Sequence, residues 1–317
     1  MTLVDALDEG RRSYDRHAWA DAYSSLASAD EAVPLAPDDL ERLALSARLT
    51  GRHAEADRLC ERAHSDHVQR GDGVRAARWA FWLGMSLLDR GESGPGGGWL
   101  ARAQRLLDDG GHDCAERGML LMPVALRAMY AGDVETAHAT WSEVARFGDT
   151  YRDADLIAFG RLGVGQTMIM RGRIAEGVAL LDEAMVAVTA GEVSPVSSGI
   201  IYCAVIDACQ EVFDLRRARE WTTALTRWCD SQPDMVPFTG QCMVHRAEIM
   251  QLHGSWPDAL ETAERARDRL LQSRQAAVGA ALYRIGELKR LRGELTEAVE
   301  HYREASHRGH PTCRGRC

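Results

Sequence analysis

The chain consists of apolar helical segments separated by a short polar turn that recurs about every 40 residues. The pairs Gly132-Asp133 and Gly293-Glu294 show its form. The glycine permits the left-handed backbone that ends one helix, and the acidic residue suits the positive N-terminus of the next. A fixed period of this length is typical of a helical solenoid. The turn residues are Gly51, Gly91, Gly132, Gly172, Gly254 and Gly293, with degenerate copies at Asp15 and Phe213.

Three sets of positions, at fixed distances from the turn residue, are mostly occupied by small side chains. Seven residues before the turn stand Asp8, Ala44, Gly84, Ala125, Gly165, Ile206, Ala247 and Gly286. Five after it stand Ala20, Ala56, Gly96, Ala137, Gly177, Ala218, Ala259 and Ala298. Twelve after it stand Ala27, Ala63, Ala103, Val144, Ala184, Leu225, Ala266 and Ala305. We name these the notch positions, because small residues there predict a close approach of the two helices of each hairpin.

This spacing of small residues resembles the tetratricopeptide consensus, whose usual period is roughly 34 residues. The resemblance implies an all-α fold, a right-handed tetratricopeptide-like superhelical solenoid of about eight helix hairpins. Because the period is longer here, HEAT or armadillo repeats remain an alternative. We expect one domain over residues 1–307 and an irregular tail over 308–317. Prolines are expected only between helices or at helix starts, and the glycine-rich run 91–98 is expected to form a long turn.

In a tetratricopeptide superhelix the first helix of each pair lines the concave side, at positions thirteen, ten, six and three before the turn. Over three repeats these positions form an apolar stripe. It comprises Arg78, Phe81, Met85, Leu88, Met119, Met122, Leu126, Met129, Phe159, Leu162, Gln166 and Ile169. Methionine adapts to varied apolar surfaces, and an apolar patch of this extent is typical of an interaction site. Tight curvature would instead bury the stripe as core, and both interpretations stay open.

The corresponding positions of later repeats are polar and acidic. They include Asp207, Gln210, Glu248 and Glu287. We therefore expect a groove that binds a peptide, a protein partner or a small effector, with one of the three carboxylates meeting a cationic group. Trp79, Trp82 and Trp99 are expected to pack between repeats two to four.

The composition of the chain limits the class of partner and the cellular compartment that we expect. A formal net charge of -9 argues against nucleic acid, because phosphate contacts need a basic surface. We find no signal peptide and no apolar run of about 18 residues, so we expect a cytoplasmic protein with no membrane contact. Six cysteines fall within helical patterns without CxxC spacing, so we expect reduced thiols.

Catalytic and cofactor motifs are weak. The glycine-rich run lacks the Gly-Lys-Ser/Thr of a phosphate loop, since Trp99 follows it. His245 is expected to be hydrogen-bonded rather than catalytic. His307, His310, Cys313 and Cys317 have spacings that a zinc site uses, but they lie in a segment without an apolar scaffold. We therefore expect no enzyme activity, no cofactor and no metal.

Longer phrases are similar to the helical-repeat region of large LuxR-family transcriptional regulators of the MalT kind. They are residues 77–84, 177–185 and 282–288. In that family the array senses an effector or partner, and a C-terminal helix-turn-helix binds DNA. About ten residues follow the last helical pattern, too few for that motif. The resemblance implies a sensing or binding module without the DNA-binding part. The alternatives are a structural scaffold or a self-associating module, for instance a homodimer.

Overall fold

The structure, a computed structural model, describes residues 3–232, 234–272 and 277–310. Within these ranges it has sixteen helices and no strand. They are α1 (Leu3–Asp15), α2 (Trp19–Ala32), α3 (Pro37–Leu49), α4 (His53–Gln69), α5 (Gly73–Asp89), α6 (Ser93–Asp109), α7 (Ala115–Tyr130), α8 (Val134–Tyr151), α9 (Ala154–Met170), α10 (Ile174–Thr189), α11 (Pro195–Glu211), α12 (Leu215–Asp230), α13 (Pro237–Leu252), α14 (Trp256–Gln272), α15 (Val278–Leu291) and α16 (Leu295–His307). The predicted all-α fold of about eight helix hairpins is confirmed.

The chain divides into two compact units, Met1–Trp221 and Thr222–Cys317. In the first unit the odd-numbered helices pack on the even-numbered helices that follow them, from α1 with α2 to α9 with α10. In the second unit α13 packs on α14 and α15 on α16 in the same way. A single domain over residues 1–307 stays a prediction.

The turn glycines adopt the backbone conformation that the repeat predicts. Gly132 has a φ of 77°, and the amide of Asp133 donates to the carbonyl oxygen of Ala128 at 3.0 Å. This bond satisfies a carbonyl at the end of α7, as in the Schellman motif. Phe213, which takes the place of glycine in the sixth copy, also has a positive φ of 60°.

The notch positions bring two backbones together. A Cβ at Gly96 would lie 2.9 Å from the carbonyl oxygen of Gly84, and one at Gly177 would lie 2.5 Å from that of Gly165. From the second copy onward every notch residue is buried. Only glycine or alanine therefore leaves room for this approach at most of these sites.

The first copy of the repeat starts its register two residues later than predicted. The positive φ of 60° belongs to His17 and not to Asp15. The true notch residues are then Gly10 and Ala22, both buried, whereas Ala20 is exposed. With this correction the first spacing is 34 residues, the usual tetratricopeptide period.

Two further expectations were wrong. The glycine-rich run is not a long turn, because Ser93 begins α6 and the glycines after it are helical. Packing at the Gly96 notch requires a helix there and overrides the low helix propensity of glycine. Pro123 lies inside α7, although prolines were expected only between helices or at their starts. Because proline lacks an N–H, the carbonyl of Met119 has no donor four residues later.

We predict opposite effects for two alanine substitutions at helical glycines. Gly177→Ala places a Cβ against the backbone of Gly165 and should lower the free energy of unfolding by about 1–3 kcal/mol, as overpacking does. Gly98→Ala meets nothing within 4 Å. It should raise the free energy of unfolding by about 0.5–1 kcal/mol, because alanine is the better helix former.

Urea unfolding followed by circular dichroism measures both variants against the parent chain. Equal effects of the two substitutions would contradict a backbone contact at the notch.

Candidate functional site

The predicted concave stripe lies on the first helices α5, α7 and α9 of the first unit. Its members divide by burial. Phe81, Met119, Met122, Phe159 and Leu162 are buried, whereas Met85, Leu88, Leu126, Met129, Gln166 and Ile169 are partly buried. Met129 belongs to hairpin packing, because its sulfur accepts from the indole N–H of Trp141 at 3.1 Å.

The N-terminal part of the stripe encloses a recess of about 40 Å³. Five sequence-predicted residues line it: Arg78, Phe81, Met119, Met122 and Phe159. The four that sequence reasoning missed are Trp82, Asp153, Asp155 and Leu156. The recess therefore has an aromatic and methionine floor with charged groups among its lining residues. Of the three tryptophans expected in packing, Trp79 and Trp99 do pack against buried residues between helices, while Trp82 lines the recess.

An ion-pair network joins helices at one side of the recess. Arg78 on α5 donates from Nε to Oε1 of Glu116 on α7 at 2.9 Å. A second guanidinium nitrogen lies 3.6 Å from Oδ2 of Asp153. Glu116 is only 5% exposed, so the guanidinium compensates a carboxylate that is almost removed from water.

Two aspartates at the start of α9 have defined structural partners. Asp153 caps the helix by accepting from the amide of Leu156 at 3.0 Å. Asp155 accepts from the amide of Ser194 at 2.8 Å and from the hydroxyl of Ser197 at 2.7 Å. Asp155 therefore ties the start of α9 to the start of α11, and its carboxylate has serine donors but no cation among these partners.

The polar residues of the later repeats have different surroundings. Asp207 is exposed, while Gln210 is partly buried and its side-chain nitrogen has no hydrogen-bond partner among the described residues. In the second unit Glu248 pairs with Arg284, and Glu287 pairs with Arg290 at 2.9 Å. Burial raises the pKa of Glu287, but the hydrogen bonds from Arg290 and Tyr302 and the nearby arginine charges outweigh burial, so the pKa is lowered. The charges of Glu248 and Glu287 are thus already compensated within their own unit.

His245, considered above as a catalytic candidate, is buried inside the second unit. Its Nε2 lies 3.4 Å from the side-chain nitrogen of Gln241. Burial lowers the pKa of His245 to about 4, so the ring is neutral at pH 7. Its surroundings favour a structural role.

The described residues were considered for two further features, a metal site and a membrane-spanning helix, and they provide neither. No group of three or more His, Cys, Asp or Glu residues suited to a metal occurs within the described ranges. Cys313 and Cys317 of the tail lie outside them, and the ring of His310 packs 5.1 Å from that of Tyr283. None of the helices described above combines the length and apolarity that a membrane span requires.

Comparisons with known proteins identify the fold. No family model matches the sequence, and no curated protein matches it. The crystal structure of a Rap protein complexed with competence and sporulation factor is similar over 97% of this chain and 97% of that chain, with 12% identity and a TM-score of 0.61. The crystal structure of BtubC (BKLC) from P. vanneervenii is similar over 69% of this chain and 92% of that one, with 16% identity and a TM-score of 0.50. The chain thus has the fold of tetratricopeptide-like helical-repeat proteins.

The residues missed at the recess had a weak signal in the sequence. Asp153 precedes the apolar start of α9, where an N-cap aspartate is expected, and Asp155 follows within the first turn. The predicted stripe comprises four positions along each first helix, and the residues at the starts of these helices fall outside those positions. The start of α9 supplies two of the three charged residues that line the recess.

We predict that His245 makes the protein less stable in mild acid. Its pKa is about 4 in the folded chain and about 6.5 in an unfolded one. Between these values the unfolded chain binds a proton that the folded chain does not, so stability falls as the pH falls from 6.5 to 4. The loss is about 1.4 kcal/mol per pH unit, or about 2 kcal/mol between pH 7.5 and 5.0.

Urea unfolding at pH 7.5 and 5.0 tests this prediction in the parent chain and in His245→Gln. The variant should lose less stability than the parent on acidification. An identical loss in both would show that His245 titrates normally or that other groups dominate.

Proposed function

We propose that the protein is a non-catalytic module that binds a segment of polypeptide along α5, α7 and α9, with one apolar side chain in the recess. The observation that carries the proposal is an aromatic and methionine floor flanked by charged side chains, including Arg78 and Asp153. The charged groups are engaged with one another or with serines, as in a binding surface. They do not form the nucleophile and base pair of an enzyme.

The size of the recess favours a peptide or protein over a small effector. The recess has a volume of about 40 Å³, which is enough for a few water molecules. Sites for drug-sized ligands have volumes of about 300–1,000 Å³. The end of one apolar side chain fits the recess. The rest of the segment then contacts the partly buried part of the stripe, including Met85 and Leu126.

The charged residues that line the recess favour a cationic residue in the bound segment, next to the apolar side chain that enters the recess. Arg78 is the only basic group of the lining, and Glu116 and Asp153 already surround it. Asp155 is held by serine donors and pairs with no cation among the described residues. A lysine or arginine next to the apolar anchor would pair with the two aspartates as the site is covered and loses water.

The Rap protein with this fold is complexed with competence and sporulation factor, which supports a ligand-binding role for the array.

A finer part of the proposal is kinship with the sensor region of LuxR-family regulators of the MalT kind. The three sequence phrases support it, and each lies in a helix of the repeat, in α5, α10 and α15.

We also place the protein in the cytosol. Among the described residues six cysteines, including Cys60 and Cys209, are reduced thiols, and four of the six are buried within helices. Thiols that stay reduced are typical of cytosolic proteins.

A self-associating scaffold, such as a homodimer, is the second candidate, because several apolar side chains are exposed near the hairpin turns of the first unit. Tyr130 is 89% exposed and Phe213 is 80% exposed. Met170 and Ile174 lie near another turn and are about half exposed. Exposed apolar residues of this size favour a protein contact.

Light scattering after size exclusion tests the role of a self-associating scaffold. If the protein is a homodimer through these residues, the double variant Tyr130→Ser with Phe213→Ser should be a monomer.

We predict that a peptide library displayed on phage and selected on the full chain yields an apolar residue next to lysine or arginine. Asp153→Asn with Asp155→Asn should weaken binding of a selected peptide about fivefold to tenfold and reduce its salt dependence. Asparagine still caps α9, so the helix is retained. Isothermal titration at two salt concentrations measures both effects.

We predict a larger loss for Trp82→Ala, about 30-fold, because buried aromatic anchors contribute about 2 kcal/mol at such sites. Val186→Ser on α10, whose side chain is 63% exposed, is the matched control and should bind as the parent does. Circular dichroism checks that all variants are folded. Selected peptides without an apolar and cationic pair, or equal binding by all variants, would refute the proposal.

A further inference from the structure

The carboxylate of Asp155, which lines the recess, is held by the start of α11. Its Oδ1 accepts from the backbone amide of Ser194 at 2.8 Å. Its Oδ2 accepts from the hydroxyl of Ser194 at 2.6 Å and from the hydroxyl of Ser197 at 2.7 Å. A carboxylate has about four acceptor positions, two on each oxygen. Both positions of Oδ2 are therefore occupied, and the position that remains lies on Oδ1.

Asp153, the second aspartate of the recess, also has a contact at each oxygen. Its Oδ1 accepts from the amide of Leu156 at 3.0 Å and thereby caps α9. Its Oδ2 lies 3.6 Å from a guanidinium nitrogen of Arg78. The side chain of Asp153 is only 21% exposed. Breaking either contact when a partner binds would leave a polar group without a hydrogen bond in a place with little water, which is unfavourable.

These contacts suit an ammonium better than a guanidinium. A guanidinium binds a carboxylate most strongly through two parallel N–H···O bonds, which need both oxygens of that carboxylate. Asp155 cannot provide them, because its Oδ2 is filled by serine hydroxyls. A guanidinium that used both oxygens of Asp153 would lie next to Arg78, a group of the same charge. An ammonium is compact and has three donors, so it can bind one oxygen of each aspartate.

We propose that the recess selects lysine over arginine as the cation of the bound segment, and that Ser194 and Ser197 determine this preference. Both are positioning residues that act through Asp155, because neither is among the residues that line the recess. The inference rests on the proposed function, since it concerns the cation beside the apolar anchor. Lysine and arginine carry the same charge, so the acidity of the recess alone does not decide between them.

Selection from a phage library on the full chain tests the preference. The library encodes an apolar residue next to a position at which lysine and arginine are supplied in equal numbers, and we expect lysine in most selected clones. One selected peptide is then synthesised with lysine, arginine or acetyl-lysine at that position. Isothermal titration should show that the lysine peptide binds about fivefold more tightly than the arginine peptide, the effect of roughly one hydrogen bond. The uncharged acetyl-lysine peptide should bind most weakly.

Ser194→Ala with Ser197→Ala removes both hydroxyls from Oδ2 of Asp155 and leaves that oxygen open to a guanidinium. The preference for lysine should then fall from about fivefold to about one, because the arginine peptide gains a second bond. Ser198→Ala is the matched control, since the hydroxyl of Ser198 donates to the carbonyl oxygen of Val193 at 3.1 Å. This variant loses a hydroxyl from the same helix start and should keep the preference of the parent.

The parent chain decides the preference even if the double serine variant fails to fold, which circular dichroism checks. Equal affinity for the lysine and arginine peptides, or tighter binding of the arginine peptide, would overturn the preference and leave the proposed function intact. An unchanged preference in the folded double variant would overturn the role of the two serines. A selection that enriches no apolar and cationic pair would contradict the proposed function and this inference together.

Discussion

Close backbone contact between the two helices of each hairpin is the constraint on which the rest of the structure depends. At Gly165 and Gly177 the separation leaves no room for a Cβ atom, and at most other copies alanine occupies the corresponding notch. Dispersion stabilises these contacts because many atoms of the two helices are closely packed there, although the side chains are small. Larger apolar side chains must then be buried elsewhere, against the preceding and following helices, which is the nearest-neighbour packing of a repeat protein.

The recess follows from this division of space. Since the notches exclude bulky groups, Phe81, Met122 and Phe159 lie on other faces of their helices and meet between α5, α7 and α9. Three first helices with aromatic and flexible side chains do not fill the space between them completely. Pro123 adds a local irregularity, because the carbonyl of Met119 loses its helical donor beside the same recess. The recess thus lies where packing between the first helices is incomplete and where α7 lacks one of its regular backbone hydrogen bonds.

The sequence predicted the repeat well because its signal is steric and local. A turn glycine and small residues at fixed distances from it require the same backbone in every copy, so the notch positions were correct from the second copy onward. In the first copy neither Asp15 nor His17 is a glycine, and the register slipped by two residues. Burial of the stripe was not predictable, because it depends on how helices from different repeats lie together. For the same reason Asp153 and Asp155 escaped notice, although each lies at the start of a recognisable helix.

The charges around the recess limit what can cover it. The carboxylates of Glu116 and Asp153 pair with the one guanidinium, of Arg78, and Asp155 lines the same recess with serine donors. The chain as a whole is acidic. A purely apolar partner over these carboxylates would remove water from the uncompensated charge without replacing its hydrogen bonds. The desolvation free energy lost in this way exceeds the free energy gained by burying one apolar side chain in the small recess. Since the recess supplies a limited apolar contact, its partner must bring a cation as well as an apolar group. Identity of 12% to a protein of the same fold says nothing about this requirement, which comes from the side chains of the site itself.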